Sequence, residues 1–354
     1  MTHTGDWVVA RRGDASPGAA FDAPCYRIPA LTRTPSGRLV IAHDVRRDHL
    51  DLPGEFDIVT RCSDDDGHTW GEPSLLRRHE AGWGCGDASL LVDPDTRTVL
   101  CFYAASAGPS FWDDAGLELW LARSRDDART WTHERVQFGA VAGFEIGAMF
   151  ASSGNGVALR SGRLLQPMVV RPAGTTDRHA VIAISDDHGA SWRLGDTVLG
   201  CDETKVTELA DGRVLLHGRD APRRRQAIST NEGESFTTAD PHPDLPDPSC
   251  NGGLATMVDG SLAVTLPTPS TAPIDANLDP TRGQGAVLAW GRRENLVVRR
   301  SVDGGRTWQV GETLDEGPAA YSVCCALPNG GLLVVWERGP YDALVARVLD
   351  PVTP

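Results

Sequence analysis

A six-bladed β-propeller of four-stranded antiparallel sheets is the all-β fold class this sequence predicts. An eight-residue pattern, S-x-D-x-G-x-T-W, recurs along the chain, and a second turn signal alternates with it. In addition, no stretch sustains apolar residues at helical spacing over three turns.

The octet is complete at Ser301, Asp303, Gly305, Thr307 and Trp308, and again at Ser63, Asp65, Gly67, Thr69 and Trp70. Ser185, Asp187, Gly189, Ser191 and Trp192 differ by one Thr-to-Ser exchange. Ser124, Asp126, Ala128, Thr130 and Trp131 have lost the glycine, and Ser229, Asn231, Gly233, Ser235 and Phe236 form the most worn copy. Each fixed position has a physical task. A short carboxylate accepts backbone N–H bonds within a tight turn, glycine adopts positive φ without steric cost, and the aromatic ring covers apolar surface beside the turn. Repetition marks these residues as structural, so chemistry must be sought among residues that occur once.

The second signal is a small or acidic residue, usually followed by Gly, before a short apolar strand. It occurs at Ser36-Gly37, Ser161-Gly162, Asp211-Gly212, Asp259-Gly260 and Asn329-Gly330, with a degenerate copy at Asp95-Thr96. Six turns against five octets give six sheets. Trp7-Val8-Val9 and Leu344 to Val348 are expected to share the sheet that lacks an octet and so close the ring. No linker divides the chain, so residues 1–354 are read as one domain. Pro267 to Gly285 is expected to be a Pro- and Thr-rich loop inside a blade.

The formal net charge of −14 argues against nucleic acid as a partner, since phosphate binding needs a basic face. No apolar run reaches the roughly 20 residues of a membrane helix. The 8 cysteines show no zinc spacing and fit buried free thiols in a reduced compartment. The N-terminus lacks a basic-then-apolar signal segment, which points to the cytoplasm, or to secretion if a signal has been removed.

The octets are Asp boxes (BNR repeats) and resemble those of bacterial exo-α-sialidases, or neuraminidases. Tyr26-Arg27-Ile28-Pro29 is similar to the Phe/Tyr-Arg-Ile-Pro signature of that family, whose Arg binds the substrate carboxylate. Guanidinium forks hold carboxylates bidentately and keep their charge. The resemblance implies an arginine triad of Arg27, Arg219 and Arg293, with Arg292 a rival for the third place. It also implies a Tyr nucleophile, because a neutral phenol escapes repulsion from the substrate carboxylate.

Tyr321 matches that nucleophile and Glu203, sixteen residues before Arg219, its base; Glu208 is the rival. The acid/base is implied in the loop from Asp44 to Pro53, where Asp51 fits best and Asp48 and Asp57 are alternatives. Such an acid must be protonated when substrate binds, through a raised pKa or a low working pH. Arg46 is expected beside the sugar hydroxyls, Asp87 beside the N-acyl arm, and Glu337 bracing Arg27. Met149, Phe150 and Trp83 are candidates for an acyl-binding patch. The activity implied is retaining hydrolysis of terminal α-linked sialic acids, with no metal or cofactor. A related acidic sugar (KDN or Kdo) and a non-catalytic glycan-binding propeller are the alternatives.

Overall fold

The computed structural model describes residues 5–18, 21–114, 116–139, 141, 143–269 and 293–351. Among the described residues every regular element is a strand, and the pairing is antiparallel apart from a two-residue parallel contact of Gly154–Asn155 with Gly84–Asp93.

The strands follow the two turn signals. In the first sheet, Cys25–Arg33, Leu39–Arg46, Phe56–Ser63 and Ser74–Arg77 are neighbours in chain order. The second sheet repeats this with Gly84–Asp93, Thr98–Ser106, Glu118–Ser124 and Thr132–Val136. The third is built on Ile146–Ala151, Leu164–Pro172, His179–Ser185 and Arg193–Leu194, with Val157–Ala158 added beside Leu164–Pro172. The fourth comprises Thr204–Glu208, Val214–Gly218, Arg223–Ser229 and Asp240–Pro246.

The remaining strands form one seven-stranded sheet, and the long strand Gln309–Ala326 explains its size. Its first half pairs with Arg293–Ser301 and its second half with Leu332–Arg338. On one side lie Gly253–Thr256, Leu262–Pro269 and Arg293–Ser301; on the other lie Leu332–Arg338, Ala343–Leu349 and Trp7–Arg11. The expected pairing of the two chain ends is present, with Trp7 opposite Ala346 and Val8 opposite Val345. Pro267–Pro269 belong to a strand rather than to the expected loop, and residues 270–285 of that loop lie outside the described residues.

Each sheet packs face to face on the next. Ala30, Val40 and Ile58 meet Leu90, Val99 and Tyr103; Phe102 and Leu121 meet Met168 and Val181. Ile182 and Leu165 meet Val206 and Leu216, and Leu215 meets Leu254 and Val264. Val298 and Ala263 then meet Val334 and Trp336, while Val335 and Leu344 return to Leu39 and Ile41 of the first sheet. Strands covered on both faces have no need of alternation, so Leu39–Arg46 and Thr98–Ser106 are buried along their whole length.

The octets form one hydrogen-bonded turn five times. Ser63 Oγ donates to Asp65 Oδ1 (2.7 Å) and accepts from Gly67 N (2.9 Å); Thr69 N and Oγ1 donate to the two Asp65 oxygens at 2.8 and 2.5 Å. The same contacts recur around Asp126, Asp187 and Asp303, and Asn231 keeps them with the hydroxyl contact reversed, its Nδ2 donating to Ser235 Oγ at 2.9 Å. Hydrogen bonds from Thr or Ser hold the carboxyls of Asp65, Asp187 and Asp303 down at about 2. Trp70 packs between its own sheet and the neighbouring one, in the same cluster as Leu333 and Val335.

Each octet begins on the last residue of the third strand of its sheet. Antiparallel order therefore places the octets and the Gly turns at one end of every sheet. The starts of first strands and the ends of second strands lie at the other end, and there the single-occurrence residues gather.

Candidate active site

Arg27 lies near the start of its sheet's first strand, and Asp44 and Arg46 at the end of the second. Asp87 sits early in Gly84–Asp93, Glu203 immediately precedes Thr204–Glu208, and Arg219 immediately follows Val214–Gly218. Arg293 opens its strand, Tyr321 lies in the second half of Gln309–Ala326, and Glu337 is near the end of Leu332–Arg338. These residues come from different sheets yet gather at one cleft. Asp51, Asp87, Glu203, Arg219 and Tyr321 are in its wall.

Tyr321 is at the centre. Its hydroxyl accepts from Arg219 Nη1 at 2.6 Å, and Arg293 and Arg27 lie 5.4 and 5.8 Å from its ring centroid. Glu203 Oε2 is 2.6 Å from the same Arg219 Nη1, so phenol and carboxylate share one guanidinium nitrogen. Contact between Glu203 and the phenol thus runs through Arg219 rather than a direct hydrogen bond. Asp202 occupies the other edge of Arg219, accepting from Nε at 2.7 Å and from Nη2 at 2.6 Å, and also pairs with Arg178 at 3.0 Å. Burial lifts the Tyr321 phenol well above its ordinary value, and Glu203 adds to the rise while Arg219 and Arg293 oppose it.

Glu337 is fully buried and saturated. It accepts from Arg27 Nε at 3.2 Å, from Ile28 N at 2.9 Å and from Tyr321 N at 3.1 Å. Arg27 thereby has one edge fixed, while its Nη1 donates to His49 O (2.8 Å) and to Asp51 Oδ1 (3.2 Å). Its face packs on the Tyr341 ring at 4.2 Å. Asp51 covers Arg27, whose side chain is 6% exposed, and projects its own carboxylate outward, 78% exposed. Desolvation would raise the Asp51 carboxyl, but Arg27, Arg46 and the more distant Arg219 override it and leave the group at about 2. These arginines thus hold Asp51 ionised, the reverse of the raised pKa that is one route to a protonated acid.

The alternatives for this position go elsewhere. Asp48 Oδ1 caps Leu50 N in the exposed loop, and Asp57 is buried against His79, accepting from its backbone N–H at 2.6 Å. Glu208 pairs with Arg160 at 3.1 Å, away from the cleft. Arg27, Arg46 and Arg293 are outside the cleft wall itself; Arg27 and Arg46 are buried behind Asp51, and Arg293 lies against the Tyr321 ring. Arg293 Nη2 donates to Ser249 O at 2.6 Å, and Arg292 lies outside the described residues.

Asp87 has φ +59°, a left-handed conformation unusual for a residue with a side chain. Burial and the neighbouring Asp44 carboxylate lift its carboxyl to about 8, against the pull of Arg46. Of the three apolar candidates, Phe150 lines the cleft. Met149 is core, and Trp83 packs edge-on against Trp120. Phe111, Trp112, Leu117 and Arg178 line the cleft too and were not read from sequence, because loop residues without periodicity carry no local signal. Lys205, the single lysine, is buried two residues after Glu203. It donates to Asn251 Oδ1 at 2.6 Å and to Ser153 O, and burial brings its ammonium down to about 7.

A family model described as a BNR repeat-like domain matches residues 29–334. The chain is 35% identical over 337 residues to a sialidase of Micromonospora viridifaciens, covering 89% of this chain and 50% of that protein. The chain belongs to the bacterial sialidase family with BNR repeats. Among solved structures, the Hadza microbial sialidase Hz136 superposes with a TM-score of 0.77 at 25% identity, covering 92% of this chain and 66% of that one. Trypanosoma rangeli sialidase, at 17% identity, shares the fold with a TM-score of 0.76 over 98% of this chain and 59% of its own. This member of the sialidase family spans about half the length of the curated relatives it matches.

Proposed function

We propose that this chain is a retaining exo-α-sialidase on a single six-bladed β-propeller. The six blades are the first four sheets and the two halves of the seven-stranded sheet, which share Gln309–Ala326 and pack in a closed cyclic order. The observation that carries the function is the phenol of Tyr321 at the centre of the cleft, ringed by Arg27, Arg219 and Arg293, with Glu203 on the nitrogen that also binds the hydroxyl. A glycosidase for a neutral sugar has no use for three converging guanidiniums.

In this reading the arginines clamp the sugar carboxylate. Glu203 takes the phenolic proton as Tyr321 Oη bonds to the anomeric carbon, and the aglycone oxygen leaves with a proton from Asp51. Asp51 then removes a proton from water, which attacks the same carbon, and the phenolic oxygen leaves and recovers its proton from Glu203. Two inversions retain the anomeric configuration. Asp87, protonated at neutral pH, offers a hydrogen-bond donor for an acyl carbonyl beside the apolar wall of Phe150 and Leu117.

The test is release of an aryl leaving group from its α-sialoside across pH 4 to 8, for wild type and Tyr321→Phe. Turnover that falls by about 10³-fold or more in the variant supports the assignment. An equally active variant overturns the nucleophile. A folded wild type inert on sialosides but active on KDN or Kdo glycosides moves the substrate within acidic sugars, and inertness on all three leaves a glycan-binding module.

A further inference from the structure

We infer that Asp44 is a positioning residue that fixes two cleft carboxyl groups at once, Asp51 through Arg46 and Asp87 through its backbone N–H. This rests on reading the cleft as a glycosidase site, and it adds a residue that lies behind the cleft wall.

Asp44 and Arg46 are two apart on one strand, so their side chains leave the same face, and both are fully buried. Asp44 Oδ2 accepts from Arg46 Nε at 3.0 Å and from Nη2 at 2.6 Å. That leaves Nη1, which donates to Asp51 Oδ1 at 3.0 Å and to Leu50 O at 2.9 Å. A guanidinium is planar and rigid, so fixing one edge decides where the remaining nitrogen points. Arg46 also stacks on Phe56 at 4.4 Å, which removes its freedom to tilt. The position of Asp44 is therefore transmitted to the loop that carries Asp51.

The second arm crosses to the neighbouring sheet. Asp87 N donates to both Asp44 oxygens, at 3.1 and 3.2 Å, and this contact secures the left-handed backbone of Asp87. The approach requires glycine next door. A Cβ on Gly86 would lie 2.7 Å from Asp44 Oδ2 and 3.1 Å from its Cγ. Arg46 completes the triangle, with Nη2 at 3.8 Å from Asp87 Oδ1.

Acting through the acid, Asp44 should matter in proportion to how much the leaving group needs a proton. Asp44→Asn and Gly86→Ala are compared with wild type on a 4-methylumbelliferyl α-sialoside, whose phenolate leaves unaided, and on sialyllactose, whose sugar alkoxide does not. In Asp44→Asn the kcat/KM on sialyllactose should fall about 100-fold while kcat/KM on the aryl substrate falls about threefold at most. Gly86→Ala should show the same selectivity, weaker, because it displaces Asp44 without discharging it. Near-UV circular dichroism reports folding, and if Asp44→Asn fails to fold, Gly86→Ala decides alone. Equal losses on both substrates in folded protein, or no loss on either, overturn the inference. A wild type that cleaves neither substrate fails the sialidase reading itself.

Discussion

Replacing Glu337 should damage stability and substrate binding together, and the structure sets the size. The carboxylate is fully buried and its partners are Arg27 Nε, Ile28 N and Tyr321 N. Removing one member of a buried ion pair costs about 3–5 kcal/mol, because the other charge remains without compensation. Each backbone donor left without an acceptor adds about 1–3 kcal/mol, part of which is recovered if water enters. For Glu337→Ala we expect a net loss of about 5 kcal/mol, a large fraction of the stability of an ordinary domain. Over 354 residues the unfolding entropy is about 0.7 kcal/mol per kelvin, so Tm should fall by about 7 °C. Glu337→Gln keeps the volume and an acceptor but turns its N–H₂ toward Arg27, so a loss of about 3 kcal/mol and 4 °C is expected. Thermal unfolding at a fixed scan rate measures the first quantity, and KM for an aryl α-sialoside reports whether Arg27 has lost its orientation. An Ala variant that melts within about 1 °C of wild type with unchanged KM would refute the role assigned to Glu337.

Substrate binding should take up a proton below neutral pH. Asp51 is held at about 2 by Arg27 and Arg46 against desolvation; a substrate carboxylate that displaces it from Arg27 and neutralises the arginines must raise it. Titration calorimetry of a sialic acid analogue at pH 5.5, in buffers of different ionisation enthalpy, should show uptake approaching one proton, abolished in Asp51→Asn; no uptake in wild type would refute it. The octet carboxyls give a second pH signature. Asp65, Asp187 and Asp303 sit at about 2 when folded against about 3.9 unfolded, so their contribution is complete above pH 4 and lost as pH falls from 4 toward 2. Tm should fall through that window, and Asp303→Asn should flatten its share. Finally, Gly189→Ala should cost about 2 kcal/mol, near 3 °C in Tm, because its Cβ would meet Leu100 Cδ1 at 2.9 Å on a backbone with φ +77°. Ala128 occupies the equivalent place with φ +63°, and its return to glycine should be nearly neutral. Relief of strain there is offset by chain entropy and a lost buried methyl. Equal melting shifts in the two variants would contradict this account.

Much of the architecture was written locally. An octet is a closed hydrogen-bonded turn that needs no distant partner, so Ser63 to Trp70 announces itself in the sequence; the six sheets expected become five because Gln309–Ala326 pairs on both sides and joins two of them. The Gly turns do the same for the first hairpin of each sheet, and together they imply the antiparallel order that brings Arg27, Glu203, Arg219 and Tyr321 to one end. The Tyr-Arg-Ile-Pro motif and the spacing of Glu203 from Arg219 carry no such physical signal of their own and pointed to the cleft only through resemblance to the sialidase family.

What tertiary structure alone decided is which side chains share a guanidinium. Asp202 on Arg219, Glu337 on Arg27 and Asp44 on Arg46 are buried carboxylates, each supplying the countercharge that a buried arginine requires. Of these, Glu337 was expected from resemblance. Asp44 and Asp202 carry no local sign of their role, since an aspartate in a strand or loop is ordinarily a turn former or a surface charge. The placement of Asp51, rather than Asp48 or Asp57, beside Arg27 and Arg46 was equally non-local. Asp48, Asp51 and Asp57 are alike in sequence and part company only in the fold, where Arg27 and Arg46, from two adjacent strands, converge on Asp51 and Asp57 falls in the strand Phe56–Ser63.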